Sequence, residues 1–444
     1  MKKRTKIVSL LMAMVLVMGS MTACGSSDDS SSDTNSNDTN TSENTSENSG
    51  STEKIKLTVW APQEDQTDYS SVDSKYGDHL LKYMCNAFKD AHPEWNIEFD
   101  YKVCSEGDAY SELSKDAAAG GDVFMYAGDQ SVSLVENGIA NQLVIDDETK
   151  NGNPANAFDA VTVDGAVYGV PFTPNTWFMY YDKSKFSEEE VQSLDTMMAK
   201  DTGCKYNFSM DLDNGWYNAG FFYGAGCSIY KDADGNMDES KCTFNDENGL
   251  GAAKVMLSLA NDKKFLCDDD NGVGLSELQA GNLAAYCSGT WNASKVKEAL
   301  GDNYAATVLP KMNIDGKEVQ MSSIGSYKYV GVNKNTQYPE QAQALALWLA
   351  GEECQADRFA ARGVTPTLTS LTESDEVKSD IASTALIAQT AYIAETPQSK
   401  KFTSNFWSSM EALGKGMLNK EINEKNLEKQ LDMTVENIVT DIAE

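Results

Sequence analysis

Histidine and arginine are scarce in this chain. Two imidazoles, His79 and His92, serve 444 residues, which leaves little scope for most zinc sites or for Ser–His and Cys–His relays. The arginines are Arg4, Arg358 and Arg362, so the bidentate clamp that usually holds carboxylate or phosphate ligands is nearly absent. There is no Gly-rich phosphate loop, GxSxG elbow, HExxH helix or CxxC pair. Positive charge as a whole is short: 36 Lys+Arg face 68 Asp+Glu, for a formal net charge of −32. Such a surface repels polyphosphate, so nucleic acid is not an expected partner. No cofactor, metal or catalytic group is called for by these residues.

The N-terminus carries one apolar run. Residues 1–6 read MKKRTK and residues 7–19 read IVSLLMAMVLVMG. A run this short falls below the roughly 20 residues that span a bilayer, so a signal peptide over 1–23 is expected. Small residues lead to Cys24, as in the lipobox of bacterial lipoproteins; that resemblance implies lipidation of Cys24, a membrane anchor on the extracellular face, and Met21 stands where Leu is commoner. Residues 25–54 lack the apolar side chains that would offset the entropy of ordering them. The stretch 24–54 is therefore read as a disordered acidic Ser/Asn/Thr tether. Eight cysteines remain beyond Cys24. They allow on the order of a hundred pairings, and bridges or free thiols are both open.

The body alternates between two periodicities. KLTVW (56–60), WNIEFDYKV (95–103), GGDVFMYAG, VYGVPF and WFMYY read as strands. Helical spacing marks 80–88, the stretch through Ala117–Ala119, 249–261, 339–354 and the end from Leu427 to Ile442. Strands alternating with helices imply βαβ units, so the expected class is α/β with a mostly parallel sheet in each of two lobes.

Acidic motifs offer little chemistry. KDADGNMDE (231–239) has the look of a calcium loop, but Gly235 is misplaced for an EF-hand and a turn is the simpler reading. Asp268–Asp270 lacks a ligating framework. A glycosidase would need only two spaced carboxylates, and no tight motif for them stands out. Aromatics say more. Trp60, Trp95 and Trp348 sit in apolar runs that read as core. Trp177, Trp216, Trp291 and Trp407 lie among Asn, Ser, Gly and Thr, in NTWFM, DNGWYN, SGTWNAS and SNFWSS. Flat rings bury the C–H faces of a sugar while amides and carboxylates bond its hydroxyls, and a neutral ligand suits the shortage of arginine.

Taken in order, the lipobox, KLTVWAPQEDQ, GGDVFMYAGDQ, AVYGVPFTPNTWFMYYDKS, SGTWNAS and the stretch from Ser323 to Pro366 resemble the carbohydrate-binding lipoproteins of ATP-binding-cassette importers, of the maltose/maltodextrin type. The resemblance implies a periplasmic-binding-protein-like fold with a hinged cleft. It implies one lobe from 55–174 with 328–374 and another from 175–327 with 375–444. Its partners would be a neutral oligosaccharide, malto- or else xylo- or galacto-oligosaccharide, and the transmembrane subunits of an ABC permease. By motif, Tyr126 would be a stacking platform, Asp129 a sugar-bonding carboxylate and Gln130 a neutral replacement for a charged family residue. Glu64 and Asp65 occupy first-loop contact positions, Asp65 with reversed charge. Asn175 falls at a hinge crossing. Trp291 and Trp407 match stacking tryptophans, Trp216 or Tyr217 would supply another ring, and Trp177 would face or support the cleft.

Overall fold

The structure is a computed structural model that describes residues 54–442 apart from 78 and 270. The expected signal peptide, Cys24 and nearly all of the tether lie outside the described residues.

Two sheets organise the body. The chain opens with β1 (Lys54–Ala61), α1 (Leu80–Ala91), β2 (Asn96–Val103) and β3 (Val123–Ala127), and then β4 (Val170–Asn175). It crosses to a second sheet at β5 (Phe178–Asp182), and continues through β6 (Phe208–Met210), α2 (Gly215–Gly224), α3 (Glu247–Asn261), β7 (Phe265–Cys267), β8 (Ala285–Ser288), α4 (Ala293–Leu300) and β9 (Tyr304–Thr307). It returns along β10 (Ser323–Val332) to α5 (Pro339–Leu349) and α6 (Glu352–Arg362). A third crossing leads to α7 (Ile381–Gln389), β11 (Ile393–Glu395), α8 (Trp407–Leu418) and α9 (Leu427–Val439).

In the first sheet β1 runs parallel to β2 and β3, while β10 runs antiparallel to β3 and β4. In the second, β6 runs parallel to β7 and β8, and β5 antiparallel to β8 and β9. Every residue of β3 is buried, as expected of a strand covered on both faces. One core packs α1 and α5 on the first sheet around Leu57, Phe88 and Leu345; Phe124, Tyr126 and Tyr329 centre the core on its other face. The second lobe packs around Phe208, Met256 and Met410.

β10 serves both lobes. Its start pairs with β11, while Asn175 lies in register with Ser326 further along. The Thr176 hydroxyl beside this crossing donates to the Ile324 carbonyl at 2.9 Å. KDADGNMDE forms the expected turn, with the Asp232 carboxylate accepting from the amides of Asp234 and Asn236. All eight described cysteines are free thiols.

The helix expected over 339–354 is broken. Extended backbone at Gly351 stops α5 and starts α6. The new direction matters because Arg358 and Arg362, four residues apart, share one face of α6. Both reach Asp65, in the short turn Gln63–Gln66 that follows β1: Arg358 Nε donates to Oδ2 at 2.8 Å and Arg362 Nη1 donates to Oδ1. Arg358 also donates to the Leu349 carbonyl at 2.6 Å and lies over the Phe172 ring. Burial alone would push the Asp65 carboxyl up, but the two guanidiniums outweigh it and hold it below the usual carboxylate range.

A group with a depressed folded pKa stabilises the fold above its unfolded pKa of about 4, and that contribution is lost as pH falls through the lower folded value. Asp65→Asn leaves two buried guanidiniums without a counter-charge. We expect a loss of about 3–5 kcal/mol at pH 7, read from the urea midpoint, with the gap to the wild type narrowing as the pH is taken toward 3.

Candidate functional site

Between the sheets lies a cavity of about 800 Å³. In open α/β sheets ligands gather beyond the carboxyl ends of the strands, and both lobes follow that rule. Beyond β1, β2 and β3 come Glu64, Glu106 and Asp129; beyond β6, β7 and β8 come Asp211–Trp216, Asp269 and Trp291. Asn175 lies at the end of β4, where the chain crosses between lobes, and Lys328 on β10 and Arg362 at the end of α6 extend the first-lobe wall. Trp407, Glu411 and Lys415 on α8 add to the second.

Three indoles form the second-lobe wall. Trp216 and Trp291 lie with ring centroids 5.8 Å apart and planes inclined by 36°. Asn214 caps α2 by accepting from the Trp216 amide at 2.9 Å, which fixes the start of that helix. Behind it Trp177 is fully buried and donates from Nε1 to the Trp216 carbonyl at 3.3 Å. Trp291 folds back over Gly289, where any Cβ would overlap its ring, so glycine is required there. Trp407 begins α8 directly after a π-helical turn, Phe402–Phe406, whose two phenyl rings stack at 4.4 Å. Such widened turns re-aim the side chains that follow. All three indoles remain partly exposed toward the cavity.

Carboxylates outnumber cations along the cavity. Glu64, Glu106, Asp129, Asp211, Asp213, Asp269 and Glu411 face Lys328, Arg362 and Lys415. Each cation has an acidic partner: Arg362 holds Asp65, Lys328 lies 3.2 Å from Glu106, and Lys415 pairs with Glu411. Asp129 stands apart. Burial pushes its carboxyl up to about 6, against the opposing pull of its own backbone amide. The Cys267 thiol, raised by burial to about 12, stays protonated and donates to Asp213 at 3.5 Å.

Of the residues expected from sequence, Glu64, Asp129, Asn175, Trp216, Trp291 and Trp407 line this one cavity. Five do not: Asp65, Tyr126 and Gln130 are corrected by what holds them, and the alternatives left open for Trp177 and for Tyr217 are decided the same way. Asp65 is spent on the two arginines. Tyr126 has no exposed surface; it packs on Phe124 and Tyr329 and donates to the Tyr168 carbonyl, so it offers no ring face. Gln130 is buried and braces the loop beyond β2, donating to the carbonyls of Glu106 and Gly107 and accepting from the Tyr110 amide. Trp177 supports rather than faces the cleft. Tyr217 turns behind Trp216 and packs on Trp177 at 4.9 Å. Glu106, Lys328, Asp211, Asp213, Asp269, Arg362 and Glu411 were missed. For Glu106, the Asp211–Asp213 turn and Asp269 the available signal was position just past a strand.

Two strand-end loop sets facing across one cleft define a protein of the solute-binding class, and known proteins bear this out. The sequence model of bacterial extracellular solute-binding proteins matches residues 83–385, and the chain belongs to that family. A solved structure described "with acarbose" is 34% identical, superposes with a TM-score of 0.79, and is matched over 87% of this chain and 98% of that one. The galactooligosaccharide-binding protein of Bacillus subtilis is 27% identical over 77% of this chain and 85% of its own length. A maltooligosaccharide ABC transporter solute-binding lipoprotein of Streptococcus pneumoniae is 24% identical over 77% and 79%. The family binds solutes and is not one of enzymes.

The raised Asp129 pKa carries a stability cost with a defined sign. The folded state prefers the protonated acid, so this contribution is present below about pH 4 and is lost as the pH rises through 6. Full burial would make the effect about 3 kcal/mol; because the carboxylate opens partly to the cleft, Asp129→Asn should stabilise the ligand-free protein by about 1–2 kcal/mol at pH 7. The variant and the wild type should unfold alike at pH 4, as thermal melts at the two pH values will read.

Proposed function

We propose that this protein is the membrane-tethered receptor of an ABC importer and captures malto-oligosaccharides between its lobes. The observation that carries this reading is the convergence of Trp216, Trp291 and Trp407 on one cavity whose polar lining is mainly amides and carboxylates, with every lining cation engaged by an acid. Indole faces bury the apolar faces of sugar rings, and Asp129, Asn175 and Glu64 accept from their hydroxyls. The lobes, 55–174 with 328–374 and 175–327 with 375–444, close about the strands that join them, and sugar touching both sides favours the closed form. A permease then reads that form. Lipid on Cys24 holds the body at the extracellular membrane face. The structure with acarbose and the Streptococcus pneumoniae relative support a maltodextrin ligand.

A second reading keeps the receptor and changes the sugar. The Bacillus subtilis relative, a galactooligosaccharide-binding protein, favours it. Titrating tryptophan fluorescence with maltotriose, galactotriose, xylotriose and a galacturonate trimer separates the two. The first reading expects maltotriose tightest. Under either reading the trianionic sugar binds at least about tenfold more weakly, because it meets carboxylates whose nearby cations are already paired. Tight galacturonate binding would overturn both.

Replacing Trp216, Trp291 or Trp407 by alanine should each weaken sugar binding by about 1–3 kcal/mol, the scale of ring-on-ring stacking losses for other flat ligands, as calorimetry will show. Trp177→Phe, which alters only the supporting layer, should weaken it less.

A further inference from the structure

Lys328 touches both lobes. It lies on β10 in register with Ala127 and Thr173, within the first sheet. Its ammonium is 3.2 Å from a carboxylate oxygen of Glu106, and both side chains are largely buried, 17% and 8% exposed. The same ammonium stands 5.5 Å from the centre of the Trp291 ring, which belongs to the opposite lobe. The two other cations of the wall, Arg362 and Lys415, have their acidic partners within their own lobe. Two further contacts bridge the lobes nearby: the Thr403 hydroxyl donates to the Asp129 carbonyl at 3.2 Å, and the Ser294 hydroxyl to the Arg362 carbonyl at 3.1 Å.

We propose that Lys328 is a positioning residue for closure, a cation that docks on the face of Trp291 when the lobes meet. Glu106 and Lys328 share a lobe, so opening the cleft leaves their ion pair intact. Trp291 moves away with the other lobe, and the cation–π contact is lost. Only an interaction that differs between two states shifts their populations, and here the ring contact differs while the ion pair does not. The ion pair holds the ammonium in place, which spares the entropy of ordering a long side chain at the moment of contact. Docking also sets the tilt of an indole that the preceding section assigns to sugar stacking, and to that extent the inference rests on that reading.

The test uses the full-length protein with maltotriose as probe, and ligand-free protein for scattering. Lys328→Met keeps the apolar stem and removes the charge. Because it strands a buried carboxylate, it is paired with the double variant Lys328→Met with Glu106→Gln, which removes both charges; Lys328→Arg keeps a cation that stacks on rings. Both Met variants should release maltotriose about 3- to 10-fold faster in stopped-flow fluorescence, with association unchanged within about twofold. Their ligand-free radius of gyration should rise relative to the wild type, and Lys328→Arg should restore both readings. Unchanged scattering in the two Met variants overturns the proposal, whatever happens to affinity, since Lys328 would then touch ligand alone. Unchanged release also overturns it. If the wild type fails to bind maltotriose, the maltodextrin reading fails, while the scattering comparison still decides the role of Lys328.

Discussion

One buried carboxylate between two guanidiniums underlies the first lobe. Asp65 has no water to solvate it, and its charge is tolerable only because Arg358 and Arg362 approach it from adjacent turns of one helix. The arrangement ties the first turn after β1 to α6, and so fixes the rim on which Glu64 stands. It also consumes both arginines among the described residues, so the recognition surface is left without a free guanidinium. A cleft built this way has no fork with which to grip an anion.

The second lobe solves a different problem, that of mounting three large indoles so that they stay partly exposed without collapsing inward. Each is held from behind. Trp216 rests on Trp177 and a capped helix start, Trp291 on a glycine, and Trp407 on a stacked pair of phenyl rings at a widened helical turn. Trp177, Phe402 and Phe406 are fully buried, so the Trp216 and Trp407 rings have fixed backing before any ligand arrives. This is a preorganised surface, and preorganisation reduces the ordering cost of binding.

Much of the fold was legible because it rests on local periodicity. β1, α1, β2, β3, α3 and α9 fall where alternation or helical spacing places them. The break at Gly351 was not legible, since the apolar pattern runs through it and only the backbone at that glycine differs. In the site, the tryptophans were readable from their polar neighbours. The acids were legible only in part: Glu64 and Asp129, expected from motif, line the cavity, whereas Asp65 and Glu106 are decided by whether arginines or a lysine arrive from a distant segment. Tyr126 and Gln130 failed for a related reason. A motif gives the order of residues along a strand and the loop after it, but which face is covered depends on a strand, β10, that comes some two hundred residues later in the chain.

The three crossings between sheets have a consequence for how such a chain is made. Asp65 waits for partners 293 and 297 positions downstream, and β3 waits for β10. During synthesis from its N-terminus the first lobe therefore remains incomplete until most of the polypeptide has emerged. Contacts of such long sequence separation form slowly. A body wired this way cannot complete its tertiary structure early, and its first lobe stays open until β10 and α6 are in place.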